Sequence, residues 1–261
     1  MACFQPLFRY NGVMPSQLSG IFQTAAGPLR WLVQSDAAAF QSASDAPLAW
    51  LNADEARFWQ ALKTDKRRRD WALGRRAAKE LLAKFILDET SQSVTYEQIV
   101  ILPHADGWPI VTLPTLGAEA PAVTLSISHS HGRAFCAAIR GRDLLLGADI
   151  EQIERRSTAF VEEYFTPLER RYLAAAPEEQ VDTLANAIWS GKEAALKAIR
   201  RGLAEDTRIV SCLPHPAMVI DPEWSPMRIV WNEERLARPM PALTGRWRRS
   251  NNSVLTLAYA A

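Results

Sequence analysis

An α+β fold of two similar halves, each combining helices with an antiparallel sheet, is what this 261-residue sequence predicts. Three observations predict it. Helical periodicity followed by strand-like runs occurs once in each half of the chain. A helix-start signal opens each helical stretch, at Asn52-Ala53-Asp54-Glu55 and at Thr166-Pro167-Leu168-Glu169. Between the two, strand-like runs at Val123–Ser128, Ala134–Ile139 and Leu144–Ile150 read as a β-meander, the last two joined by a Gly141-Arg142 turn. That turn gives the boundary, with residues 1–142 as the N-terminal half and 143–261 as the C-terminal half.

In chain order, a strand is expected near Leu29 to Gln34, in a first stretch with little other signal. Phe58, Trp59 and Leu62 follow the first cap at helical spacing, and a second helix runs from about Lys66 to Leu87. After the meander, Pro167 at the first helical position and Glu169 at the third start a helix. Another runs from Pro177 to about Arg201, with Gly202 as its stop. Strands around Ala217–Ile220, Met227–Trp231 and Val254–Tyr259 complete the chain. No internal repetition stands out in the sequence.

Lys plus Arg is 30 and Asp plus Glu is 29, so bulk charge gives no reason to expect nucleic acid or a membrane surface. Locally the balance differs: Arg57 to Lys84 holds ten basic and three acidic residues, Asp149 to Glu179 four basic and eight acidic. Folding could set these stretches face to face across a cleft. Cys3, Cys136 and Cys212 have no paired spacing, which argues against a disulfide framework or structural zinc and fits a cytoplasmic setting. No run approaches the roughly 18 apolar residues of a membrane span, and no signal segment is evident.

Two acidic stations carry the chemistry. In Gly147-Ala148-Asp149-Ile150-Glu151, strand alternation points Asp149 and Glu151 the same way. In Trp189-Ser190-Gly191-Lys192-Glu193-Ala194, a helix carries Glu193, with Lys197 four residues on. By itself Glu193–Lys197 is an ordinary helix-stabilising pair worth about 0.2 to 0.5 kcal/mol. Taken together, three carboxylates beside lysines suit a hard cation such as Mg²⁺ holding a phosphorylated ligand. Lys192 falls within the apolar face of Leu184, Ile188, Ala195 and Ile199 and needs a partner. Arg67 and Arg75 likewise lie on the stripe of Trp71, Ala78, Leu82 and Phe85, so each either snorkels or binds an anion in a cleft. Leu125-Ser126-Ile127-Ser128-His129-Ser130-His131 ends a strand in hydroxyls and imidazoles, and His129 suits a phosphate. No Gly-x-Ser-x-Gly elbow, phosphate loop or dinucleotide fingerprint occurs.

In order along the chain, Arg67 to Arg75, Ser126-Ile127-Ser128-His129-Ser130, the Gly147 to Glu151 run, Phe165-Thr166-Pro167-Leu168-Glu169 and Trp189 to Ala194 resemble the signature of the Sfp-type 4′-phosphopantetheinyl transferases. The resemblance covers about residues 52 to 200. It implies a pseudo-dimeric α+β fold with coenzyme A between the halves, the N-terminal half binding the 3′-phosphate and the C-terminal half carrying magnesium and catalysis. It implies transfer of phosphopantetheine from coenzyme A to a serine of an apo acyl or peptidyl carrier protein, by a monomer with internal pseudo-twofold symmetry. By motif position, Asp149, Glu151 and Glu193 would hold Mg²⁺ and Glu193 would act as base. Lys197 and Lys192 would neutralise the diphosphate, and Arg67, Arg75, Ser128 and His129 would bind the cofactor, with the arginines and His129 on the 3′-phosphate.

Two departures stand out. Gly107-Trp108-Pro109 replaces a frequent Gly-Lys-Pro, removing a phosphate-binding lysine. Ala148 replaces a larger aliphatic, which predicts looser packing under the acidic edge. The alternatives are a magnesium-dependent hydrolase of another phosphate ester, and a nucleic-acid-binding module built on Lys66 to Lys79, which would leave the acidic stations unexplained.

Overall fold

Two antiparallel sheets pack face to face in the computed structural model, and one long helix covers the outer side of each. The structure describes residues 17–35, 49–201, 205–215, 224–236 and 238–260. The first sheet has the spatial order β1 (Gln17–Thr24), β2 (Gly27–Ser35), β6 (Arg133–Arg140), β5 (Val123–Ser130). A ribbon of β3 (Val100–Pro103) and β4 (Pro109–Thr112) packs beside β5. The second sheet runs β7 (Leu146–Gln152), β11 (Ser253–Ala260), β10 (Leu243–Ser250), β9 (Ser225–Trp231), β8 (Val210–Pro214). The helices are α1 (Ala53–Ala61), α2 (Asp65–Thr90), α3 (Thr158–Tyr164), α4 (Pro167–Ala174) and α5 (Glu178–Ala198).

Period-two alternation sorts the strand residues into layers. On β6, Ala134, Cys136 and Ala138 face α2 and its Leu73, Leu81, Leu82 and Phe85. The intervening Phe135, Ala137 and Ile139 face the other sheet, where they meet Leu146, Ala148 and Ile150 of β7 and Leu255, Leu257 and Tyr259 of β11. Ala148 is fully buried in that inter-sheet layer, so the packing beneath the acidic edge is closed rather than loose. Because Ala148 and Ile150 look inward to the first sheet, Asp149 and Glu151 must look outward toward α5.

Each half also buries a lysine. Asn52 caps α1 and Glu55 completes its capping box. Glu55, with no exposed surface, accepts from Lys79 Nζ of α2 at 2.5 Å and from the Ile101 N–H of β3 at 2.9 Å. Lys79 also donates to the Tyr96 carbonyl at 2.7 Å. In the second half Thr166 caps α4, and the buried Glu169 accepts from Lys192 Nζ of α5 at 2.7 Å and from the Cys212 N–H of β8 at 2.7 Å. Lys192 also donates to the Val210 carbonyl at 2.6 Å. A buried charge is tolerated only when paired and hydrogen-bonded, and both lysines satisfy that condition with a capping glutamate.

The strands β1, β3, β4, β8 and β10 and the helix α3 are not evident in the sequence. In β10, Leu243, Gly245 and Trp247 are buried between arginines and a threonine, so charge masks the alternation. β3 and β4 have four residues each, too short for a period to register. The expected strand at Ala217–Ile220 and the helix stop at Gly202 lie outside the described residues, as does Cys3. Among the described residues, no helix is long and apolar enough to cross a membrane.

Candidate functional site

The site forms because β7 and α5 approach closely, and small residues allow it. A Cβ on Gly147 would overlap the Ala194 carbonyl oxygen, and one on Gly191 would collide with Met227. Any side chain at Gly147 would push strand and helix apart, and with them Asp149 and Glu193.

Lys197 crosses from α5 to β7. Its Nζ donates to Asp149 Oδ1 at 2.7 Å, to Ser128 Oγ of β5 at 3.0 Å and to the Ala148 carbonyl at 3.4 Å. Ser128 Oγ in turn donates to Asp149 Oδ1 at 2.7 Å. Asp149 thus concentrates its partners on one oxygen. Its Oδ2 is buried with no hydrogen-bond partner, and so is Glu193 Oε1. The intrahelical Glu193–Lys197 pair gives way to this strand-to-helix link. Glu151 takes a different partner set, accepting from Trp189 Nε1 at 3.2 Å and from Arg156 Nη2 at 3.3 Å. Arg156 is itself fixed by Asn186 Oδ1 at 2.8 Å and Glu154 at 2.9 Å.

Burial raises the Glu193 pKa to about 7, with the charges of Asp149 and Glu151 adding and Lys197 opposing. Burial likewise raises Glu151 to about 7, reinforced by Asp149 and opposed by Arg156. The three acids therefore sense one another across the strand–helix gap. Among the described residues, no three His, Cys, Asp or Glu side chains make a preformed metal cage. The expected three-ligand cage is thus not assembled in advance, since Glu151 is drawn to Arg156 and Trp189. What remains is a pair of bare, buried carboxylate oxygens, on Asp149 and Glu193, and oxygen donors of this kind fit a hard divalent cation.

His129 stands at the exposed end of β5, where desolvation lowers its pKa and Lys197 adds to the depression, while Asp70 and Asp149 oppose it. Three other expected residues lie elsewhere. Lys192 has no exposed surface and is consumed by Glu169, so it cannot neutralise a ligand in the cleft. Arg75 is buried, donates through Nε to the Ile101 carbonyl at 3.0 Å and lies 4.8 Å from the Trp71 ring centroid. Burial pushes its pKa down to about 10 despite Glu55; it ties α2 to β3. Arg67 is exposed in the first turn of α2, where its N–H donates to the Thr64 cap.

A cavity of about 430 Å³ opens beside Glu193 and Lys197, lined also by Trp108, Leu125, Arg142 and Arg200. Sequence reasoning missed Arg142, Arg156 and Arg200. The spacing of Glu193, Lys197 and Arg200, four and then three residues, was the signal for the last, because it puts them on one helical face.

Residues 145–239 match the family model of the 4′-phosphopantetheinyl transferase superfamily. The chain is 28% identical over 195 residues to the 4′-phosphopantetheinyl transferase HetI of Nostoc sp., covering 72% of this chain and 77% of that protein. It is 29% identical over 125 residues to the 4′-phosphopantetheinyl transferase psf-1 of Bacillus pumilus, covering 48% and 49%. An apo-ACPS structure from Chronobacterium ammoiniagenes aligns at 18% identity and a TM-score of 0.35 over 48% of this chain and 95% of that one, a likeness too slight to bear on the fold. The matched residues 145–239 include Asp149, Glu151, Glu193 and Lys197, so the acidic site lies within the part of the chain that is similar to the 4′-phosphopantetheinyl transferase superfamily.

Proposed function

We propose that this protein transfers the 4′-phosphopantetheine group of coenzyme A to a serine hydroxyl of an apo carrier protein, releasing adenosine 3′,5′-bisphosphate. The supporting observation is the convergence of Asp149, Glu193 and Lys197, from a strand and a helix, beside a cavity, with two carboxylate oxygens bare and buried. Asp149 and Glu193 are the residues that would hold Mg²⁺, with Glu151 as a third donor once released from Arg156. Bound there, the ion would offset negative charge on the diphosphate.

In this reading Glu193 accepts the serine proton. In the metal-free site burial and the charge of Asp149 raise its pKa to about 7, which suits a group that takes up a proton near neutral pH. The serine oxygen attacks the β-phosphorus, a new P–O bond forms, and the bridging oxygen leaves with the bisphosphate. Lys197, held by Asp149 and Ser128 and lining the cavity, would offset charge growing on the phosphoryl oxygens. His129 would be a further contact for the nucleotide end.

The protein acts here as a monomer whose halves, residues 1–142 and 143–261, are related by an internal pseudo-twofold. The matching pairs Lys79–Glu55 and Lys192–Glu169 support that relation. The test is intact-mass measurement of apo carrier proteins incubated with the enzyme, coenzyme A and Mg²⁺. A gain of one phosphopantetheine per carrier is expected. Free coenzyme A hydrolysis with no carrier adduct would favour the hydrolase reading instead.

A further inference from the structure

Helix α5 ends in a hydrogen-bond pattern that ordinarily calls for glycine. The Arg200 N–H donates to the Lys197 carbonyl at 3.0 Å and the Arg201 N–H to the Leu196 carbonyl at 3.0 Å, a Schellman ending. Arg200 occupies the left-handed position, with φ of 59°, where a Cβ is strained and glycine is the common choice. Its side chain shows what the strained backbone positions. The guanidinium carbon stands 5.1 Å from the Trp108 ring centroid, and Nη1 donates to Asp143 Oδ1 at 2.7 Å. Trp108 is stacked on His104 at 3.7 Å between centroids. Arg200, Trp108 and Asp143 all line the cavity that Glu193 and Lys197 also line.

We infer that Arg200 is a donor-anchoring residue, holding a phosphate of the nucleotide-bearing donor in the cavity it shares with Glu193 and Lys197. The inference rests on the transfer reading above. A guanidinium pinned by an aromatic face and one carboxylate has little rotamer freedom left to lose, and it presents a planar fork suited to phosphate. Among the described residues, Asp143 is its one hydrogen-bonding acceptor, and that side chain is 79% exposed. Exchanging a solvated ion pair for a phosphate costs little. Trp108 supplies a flat support, and Arg200 sets its cation against that ring. Arg142 on the same lining adds positive potential.

The decisive variant is Arg200→Gly, because glycine relieves the left-handed strain while deleting the cation. A merely structural arginine predicts a less stable variant. An anchoring arginine predicts a melting temperature equal to or about 2 to 4 °C above the parent, with the Kd and KM for coenzyme A raised about tenfold or more and kcat nearly kept. Arg200→Lys should recover part of the affinity. Repeating the measurement with dephospho-coenzyme A locates the contact: loss of the Arg200→Gly effect assigns the 3′-phosphate, and its persistence assigns the diphosphate. Unchanged coenzyme A affinity in a folded Arg200→Gly variant overturns the inference, as does a lowered melting temperature with affinity intact. Binding is read by calorimetry without a carrier, so it decides the role of Arg200 even if no carrier is modified, the outcome that would defeat the transfer reading.

Discussion

Helices α2 and α5 carry the same short run, Lys79-Glu80 with Lys84 and Lys192-Glu193 with Lys197, and use it for different ends. The first lysine of each is buried and paired with the capping glutamate of the preceding helix. The remaining residues diverge. Lys84 pairs with Glu80 within its own helix at 2.9 Å, and Glu80 also accepts from the Tyr96 hydroxyl. Lys197 instead leaves Glu193 for Asp149 on the neighbouring strand. Register explains the difference. Ser35 of β2 lies opposite Arg133 where its hairpin turns, and Gln152 of β7 lies opposite Ser253 at the corresponding turn. Counting back, Leu32 and Gln34 occupy the places of Asp149 and Glu151. With no carboxylate rim opposite, the run on α2 closes on itself. What the two helices share is scaffold, and what they do not share is the chemistry.

Four experiments break or sharpen that comparison. The largest effect is expected for Glu193→Gln, which should lower carrier modification by about 100-fold or more while the protein stays folded. Glu80→Gln, at the matching position, should stay within about threefold. Equal losses in both would sink the assignment of the chemistry to α5. Next come the buried pairs: Glu169→Ala and Glu55→Ala each strand a buried lysine, and urea titration should show losses of about 3 to 5 kcal/mol for each. A small loss in only one half would show that the device is not equivalent in the two.

The third concerns pH. Glu193 and Glu151 have folded pKa values of about 7, above the ordinary carboxylate value of 4.5. The native state therefore holds protons that the unfolded chain has released, so stability without divalent cation falls as pH rises from about 4.5 to 7 and levels off above it. Mg²⁺ should consequently raise the melting temperature more at pH 8 than at pH 5, and Glu193→Gln should flatten the fall. A metal-free melting temperature that climbs across that window would contradict the burial of these acids. The smallest effects are expected at the caps. Asn52→Ala should cost about 1 kcal/mol. Thr166→Ala should cost somewhat more, since Thr166 Oγ1 also bonds Ser211 Oγ at 2.8 Å.

Much of the acidic site was legible in sequence because its parts obey local periods. Alternation put Asp149 and Glu151 on one face, and helical spacing flagged Lys192 as a charge needing a partner. The identity of that partner was not legible, since Glu169 lies on another helix and only packing brings it to Lys192. The setting of Arg75 was not legible for the same reason: a stripe position tells that an arginine is near the core, while the acceptor of its Nε, the Ile101 carbonyl, belongs to a strand too short to detect. The shared Lys-Glu run does not stand out in the sequence and gains meaning only from the strand register, which shows what each helix faces.

Caps, periods and the order of charged residues were thus set by the sequence itself, because each depends on neighbours within a few positions. Only the tertiary structure decided which charges are spent on the scaffold and which stay available. A buried charge takes its nearest partner, and nearness across the fold depends on close approaches such as Gly147 against Ala194, which no local pattern encodes.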